Sequence, residues 1–126
     1  MNAAAFAAVG TGAMLGAWAR WGLSLWLNPA TPNLPLGTLI VNVGGGYLIG
    51  LAVAFFDSNA SLSPEWRLFC ITGFLGAMTT FSAFSAEAMA LLHAGKYVAA
   101  ALHSGAHLFG AILATVLGYA SYRALA

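Results

Sequence analysis

Long runs without a charged residue dominate the pattern along this chain. Residues 1–19 carry no charge, and the apolar pattern continues past Arg20 to Leu27. Asn28-Pro29-Ala30-Thr31-Pro32-Asn33-Leu34-Pro35 follows, a proline-rich turn that no helix crosses, because each proline lacks an N–H and clashes with the preceding turn. A second apolar run covers about 36–56 and ends in the polar loop Asp57-Ser58-Asn59-Ala60-Ser61-Leu62-Ser63-Pro64. Ser63-Pro64-Glu65 reads as a helix start, with a capping serine and proline at the first helical position. The apolar pattern then runs to Leu92. His93-Ala94-Gly95-Lys96 closes it, since glycine and a basic residue are C-terminal signals. The last run covers about 97–124. At about 1.5 Å per residue these runs match a bilayer core of about 30 Å. The pattern predicts an all-α integral membrane protein, a single four-helix membrane domain over 1–126. Its transmembrane helices are expected over about 3–27, 36–56, 64–92 and 97–124.

The third run differs from the others. Between Arg67 and Glu87 lie 19 uncharged residues, again a bilayer's length. Its middle, Gly73-Phe74-Leu75-Gly76-Ala77-Met78-Thr79-Thr80-Phe81-Ser82-Ala83-Phe84-Ser85, is poor material for a simple anchor. Two glycines weaken the helix, and Thr79, Thr80, Ser82 and Ser85 bring hydroxyls to membrane depth. A membrane segment tolerates a weakened helix where the freed backbone groups are buried in protein or line a cavity. Helix 3 is therefore expected to be broken mid-membrane, at a functional site.

Composition agrees with a membrane protein. Of 126 residues, 61% are hydrophobic and 6% charged, with a mean hydropathy of +0.87. A soluble domain typically has about a quarter of its residues charged. The net charge of +1 gives no basis for binding nucleic acid, which calls for a basic patch. One cysteine, Cys70, excludes an intrachain disulfide and a cysteine-rich metal site, and reads as apolar filler. Met1-Asn2-Ala3-Ala4-Ala5-Phe6 lacks the basic n-region of a signal peptide, so the first run is expected to stay as a spanning helix. With four spans, Arg67 and Arg123 flank one side and Arg20 and Lys96 the other. This balance leaves the positive-inside rule without a preference, which makes dual topology and an antiparallel homodimer natural.

Gly12-Ala13-Met14-Leu15-Gly16 and Gly46-Tyr47-Leu48-Ile49-Gly50 are spacings that let helix backbones approach closely. Neither these nor Gly44-Gly45-Gly46 follow a strand, so a dinucleotide loop is excluded by context. Trp18, Trp21, Trp26 and Trp66 read as interfacial anchors.

Several polar groups could carry chemistry. Arg20, near the end of helix 1, either anchors to a neighbour's helix-terminal carbonyls or takes part in transport. Glu87 either lines a cavity or snorkels to the surface. Asn42 in helix 2 either makes an interhelical hydrogen bond or turns its NH₂ toward an anion. Phe81 and Phe84 stand at i, i+3. They either pack or present positive ring edges to an anion. His103, His107, Ala111 and Thr115 follow at i+4 steps along one face of helix 4. Three histidines with no paired carboxylate nearby make a poor metal or catalytic set, and no nucleophile–base–acid constellation is present. An enzyme is not expected.

Taken together, the chain resembles the Fluc (CrcB-type) fluoride channels. The resemblance rests on four spans, Gly16-Ala17-Trp18-Ala19-Arg20-Trp21, Gly37-Thr38-Leu39-Ile40-Val41-Asn42, and Gly73-Phe74-Leu75-Gly76 followed by Thr79-Thr80-Phe81-Ser82-Ala83-Phe84-Ser85. It implies a fluoride-selective passive channel of the plasma or inner membrane, exporting cytoplasmic fluoride and conferring fluoride resistance. It also implies an antiparallel dual-topology homodimer with two pores. One structural sodium ion would lie at the dimer centre, held by backbone carbonyls that correspond by position to Gly76 and Thr79. Asn42 would sit at a pore vestibule, Phe81 and Phe84 would contact fluoride, and Arg20 matches the family's helix 1 arginine. Where the family often has threonine or another hydroxyl, this chain has Ala83 and Ala111. Ser82 and Thr115 remain, with His107 a further candidate for the polar lining; Arg20 and Glu87 are expected in structural or vestibule roles.

The alternative is a small four-helix drug/proton antiporter. Such an exchanger needs a membrane-embedded carboxylate, but helix 1 here carries Arg20 and no acid.

Overall fold

The computed structural model describes residues 1–30 and 34–126, and these are helical almost throughout. Of the proline-rich turn expected over 28–35, Thr31, Pro32 and Asn33 lie outside the described residues. Helix α1 (Ala3–Leu27) is capped by Asn2, whose side chain accepts from the Ala5 N–H at 2.7 Å. A short 3₁₀ turn, Asn28–Ala30, follows it. Asn28 Oδ1 accepts from the Gly37 N–H at 2.7 Å and ties this turn to the start of α2 (Leu36–Ser58).

The third run is composite. It begins as α3 (Pro64–Arg67), widens into a π-helical stretch Leu68–Leu75, and tightens again into α4 (Gly76–Met78). The chain leaves helical geometry at Thr79 (φ −79°, ψ 154°) and Thr80 (φ −153°, ψ 112°), then resumes as α5 (Phe81–His93). Gly95 at φ 74° closes α5 in the left-handed region, and α6 (Tyr97–Leu125) completes the chain. One local expectation needs correction. Ser63 precedes α3 with Pro64 in its first turn, yet its hydroxyl caps no backbone N–H. Its hydroxyl instead turns to donate to Glu65 Oε2 at 2.7 Å, a charge-assisted hydrogen bond.

Glycine determines how the helices pack. Along α2 and α6 the backbones touch. A Cβ on Gly46 would stand 2.7 Å from the Ala111 carbonyl oxygen, and one on Gly50 would stand 2.7 Å from the Tyr119 nitrogen. Helix α1 lies against the π-helical stretch in the same way, where a Cβ on Gly12 would come 2.9 Å from the Phe74 nitrogen. Val41, Leu75 and Met78 form the small buried core, with Leu23 and Phe74 packed against it. Large apolar side chains point outward elsewhere: Phe109, Ile112, Leu113 and Val116 on α6 are exposed, as are Trp18, Trp21, Trp26 and Trp66. Among the described residues three stretches, Leu36–Ser58, Pro64–His93 and Tyr97–Leu125, are long and apolar enough to cross a membrane.

Candidate functional site

The interruption between α4 and α5 is held from α2. Asn42 Nδ2 donates to the Thr80 carbonyl at 2.9 Å, and the Thr80 N–H donates to Asn42 Oδ1 at 2.7 Å. The extended backbone therefore meets a side-chain amide as it would meet a neighbouring strand. Thr80 also caps α5, its hydroxyl oxygen accepting from the Ala83 N–H at 3.1 Å. Thr79 Oγ1 donates back to the Leu75 carbonyl at 2.9 Å. Arg20 Nε donates to the Ala77 carbonyl at 3.2 Å, in the short helix α4 just before the interruption.

A cavity of about 450 Å³ opens beside this point. Asn42, Gly45, Thr79, Thr80, Phe81, Phe84 and Ser104 line it with His107, Ala111 and neighbouring aliphatic side chains. Its walls are mostly apolar, with a few convergent polar groups, the usual make-up of a small-ligand site. Asn42 faces the cavity, but its NH₂ is fully engaged. The nitrogen that donates to Thr80 also lies 2.9 Å from His107 Nδ1. An amide nitrogen only donates, so Nδ1 accepts, and the neutral imidazole carries its proton on Nε2. His107 Nε2 is buried and has no hydrogen-bond partner among the described residues.

The rings form a continuous series. Phe81 and Phe84 meet edge to face at 5.0 Å and 78°. Phe84 stacks on His107 at 4.8 Å and 25°, and His107 meets His103 at 4.5 Å and 63°. Phe81 is 75% exposed at the outer end of the series, and His103 is fully buried at the inner end.

Glu87 turns inward rather than toward the surface. Its Oε1 accepts from the Thr38 hydroxyl at 2.5 Å, while Oε2 lies 3.3 Å from His103 Nε2. This corrects the expectation that the histidines lack a carboxylate. Glu87, His103 and His107 offer ligand atoms all within 4.8 Å of one another. The carboxylate is 16 positions from His103 in sequence (103 − 87) and adjacent only because α5 folds back along α6. Thr38 and Ser104 are members of the site that the sequence does not single out. The i, i+4 spacing of the histidines was a visible signal, whereas nothing in the sequence pointed Thr38 at Glu87.

Two other candidates lie apart. Thr115 Oγ1 donates to the Ala111 carbonyl of its own helix at 2.9 Å. The Ser82 hydroxyl lies 3.2 Å from Thr80 Oγ1 on the exposed side of α5. Neither lines the cavity. Gly76 and Thr79 flank the last turn before the interruption. The N–H four residues beyond Gly76 is that of Thr80, committed to Asn42. The one four beyond Thr79 is that of Ala83, committed to the Thr80 hydroxyl. Both carbonyls thus lose their usual intrahelical donor.

Comparison with known proteins places this geometry in a family. Residues 7–119 match the family described as "CrcB-like protein, Camphor Resistance (CrcB)". Proteins named "Fluoride-specific ion channel FluC" are similar along the whole chain. The one from Cupriavidus taiwanensis is 57% identical over 126 residues, covering all of both chains. The one from Ralstonia pickettii is 55% identical over 123 residues, 98% of each chain, and the one from Pseudomonas putida 52% over 115 residues, 91% of each. The interrupted third helix, the cavity beside it and this full-length likeness converge: the chain belongs to the CrcB family.

Proposed function

We propose that this chain forms a fluoride-selective passive channel in the bacterial inner membrane, and that it is no enzyme. The observation that carries the reading is its identity, over essentially full length, with proteins named as fluoride-specific channels. The architecture that goes with it is four spans, α1 crossing as the fourth, with the Thr79–Thr80 interruption at mid-membrane. Two copies assemble antiparallel, in dual topology, with two pores. The near balance of basic residues supports that arrangement, since neither orientation is favoured.

Fluoride is small and strongly hydrated, so a pore must replace its water with hydrogen-bond donors and positive ring edges. The cavity is suited to this. Phe81 and Phe84 meet edge to face at its mouth, and the His107 Nε2–H is a buried donor with no partner. Asn42 contributes by orientation. It holds the Thr80 backbone with one N–H and its oxygen, and with the other N–H keeps the His107 proton on the far nitrogen. Ser82 and Thr115 extend the polar lining only after a change of hydroxyl rotamer, since both now face other partners. Hydrogen fluoride that enters the cell dissociates there, and a negative-inside potential drives the trapped anion out with about 2.3 kcal/mol per charge per 100 mV.

The carbonyls of Gly76 and Thr79 fit a structural sodium ion at the dimer centre. Freed carbonyls at broken membrane helices are hard oxygen donors of the kind that coordinate it. When bound, the ion supplies positive charge that ties the two interruptions together. Arg20, donating to the Ala77 carbonyl, steadies the same turn from the side of α1.

The test is fluoride efflux from proteoliposomes, followed with a fluoride electrode, a potassium ionophore as charge shunt and chloride-loaded controls. Rapid shunt-dependent release of fluoride without chloride is expected. Slow flux that tracks an imposed proton gradient would instead indicate an exchanger and overturn the reading.

A further inference from the structure

The channel reading uses His107 but leaves His103 and Glu87 without a task, and both carry buried polar atoms with no hydrogen-bond partner among the described residues. His103 is 0% exposed, and neither of its ring nitrogens has a hydrogen-bond partner among the described residues. Glu87 Oε2 is likewise buried and unpartnered, although it lies 3.3 Å from His103 Nε2, because the two groups are misaligned for a hydrogen bond. Buried polar atoms are nearly always paired, so a cluster of orphans calls for a missing partner.

The spacing identifies its chemistry. Two imidazoles at i, i+4 on one helix face, joined by a carboxylate from a facing helix, form a familiar ligand set for a zinc-class ion. Bonds of about 2.0–2.2 Å in a tetrahedral site place neighbouring ligand atoms about 3.4 Å apart. His103 Nε2 and Glu87 Oε2 already stand 3.3 Å apart, and His107 completes a triangle within 4.8 Å. The carboxylate is oriented as metal-bound carboxylates are. Thr38, itself buried, donates to Oε1 and leaves Oε2 for the ion.

We infer that Glu87, His103 and His107 form a binding site for a divalent transition-metal ion of the zinc class, and that its occupancy arrests flux through the adjacent cavity. The ion meets three protein ligands and keeps a fourth position for water. Imidazole nitrogen with one carboxylate oxygen selects zinc, cobalt, nickel or copper over magnesium and calcium, which take oxygen ligands. The lone pair of His107 is now shared with Asn42 Nδ2, so the ion competes with that amide for it. His103 and Glu87 therefore supply most of the affinity. Arrest follows because His107 lines the cavity and stacks on Phe84. A fixed dication there holds fluoride instead of releasing it, and conduction needs weak binding. The arrest rests on the channel reading; the binding of the ion does not.

Cobalt(II) added to the purified full chain in detergent reads the site directly, because tetrahedral coordination gives visible absorption that zinc then displaces. We expect one cobalt per chain in the wild type, with affinity lowered more than about 10-fold in His103→Gln and in Glu87→Gln. His93→Gln, which removes the exposed histidine of α5, should bind as the wild type does. Gel filtration and circular dichroism of each variant establish that it is folded. In proteoliposomes, zinc should inhibit wild-type fluoride efflux and act more than about 10-fold less potently on Glu87→Gln. Absent cobalt absorption in the folded wild type, or absorption lost in His93→Gln and kept in His103→Gln, overturns the inference. Cobalt binding without any fluoride flux would overturn the channel reading and leave the metal site standing. Metal-insensitive flux with intact cobalt binding would overturn the arrest.

Discussion

Asn42 and Thr80 exchange a pair of hydrogen bonds, the amide nitrogen to the carbonyl at 2.9 Å and the backbone N–H to the amide oxygen at 2.7 Å. A single side chain thereby satisfies both backbone groups of Thr80 at the interruption. An unpaired buried polar group costs about 1–3 kcal/mol. Asn42→Ala should therefore lower stability by about 2 kcal/mol or more and reduce fluoride flux, read by thermal unfolding in detergent and by efflux. An alanine variant with both properties unchanged would show that the interruption is held by other means.

The Asn42–His107 contact sets which end of the imidazole donates. His107→Asn places an oxygen near the Nδ1 position, keeping an acceptor for Asn42 but removing the distal donor. His107→Gln places an NH₂ near Nε2 and removes the acceptor. Efflux should be better preserved in the glutamine variant than in the asparagine variant. The opposite order would mean that His107 serves structure and not the anion.

Phe81 and Phe84 touch each other but stand in different surroundings. Phe81 is exposed in the single chain, whereas Phe84 lies between Phe81, which it meets edge to face, and His107, on which it stacks. Phe81→Ile and Phe84→Ile should each cut fluoride flux about tenfold, as loss of an aromatic-edge contact implies. Dimer assembly should survive in both, checked by cross-linking. Only Phe84→Ile should also lower the unfolding temperature.

Gly50→Ala would bring a methyl group within 2.7 Å of the Tyr119 nitrogen, a backbone atom that cannot move aside alone. Overpacking of this kind costs about 1–3 kcal/mol. Gly10→Ala meets nothing within 4 Å and should be neutral or slightly stabilising. Thermal unfolding of the two variants side by side measures the contrast.

If the Gly76 and Thr79 carbonyls hold sodium, exchanging sodium for a large organic cation should lower the unfolding temperature. An ion present at 100 times its dissociation constant contributes about 2.7 kcal/mol. An unfolding temperature indifferent to sodium would remove the ion from the account.

Some features were legible because they depend on a few neighbouring residues. Gly95 closes α5 with a positive φ that only glycine adopts without strain, and Pro64 stands where its missing N–H is no loss. The three motifs that place the chain in its family could be read off in order, each being a local string. Legibility failed where partners are distant. Ser63 takes the N-cap position of α3, yet its hydroxyl donates to Glu65 and accepts from no backbone N–H, a side-chain rotamer that the local sequence does not specify. No carboxylate stands near His103 or His107 along the chain, so their pairing with Glu87 is not legible in the sequence.

By itself, then, the sequence determined that this is a helical membrane protein of the CrcB family, and which residue types are available at the third run. Hydropathy, turn chemistry and motif order are properties of short segments and need no knowledge of neighbours. Only the tertiary structure decided that Asn42 closes on Thr80, that its second N–H orients His107, and that Glu87 reaches His103 between Thr38 and the imidazole. Those pairings follow from how closely glycine lets α2 approach α6 and from where α5 resumes after Thr80. They depend on the mutual placement of whole helices, which no single stretch of sequence encodes.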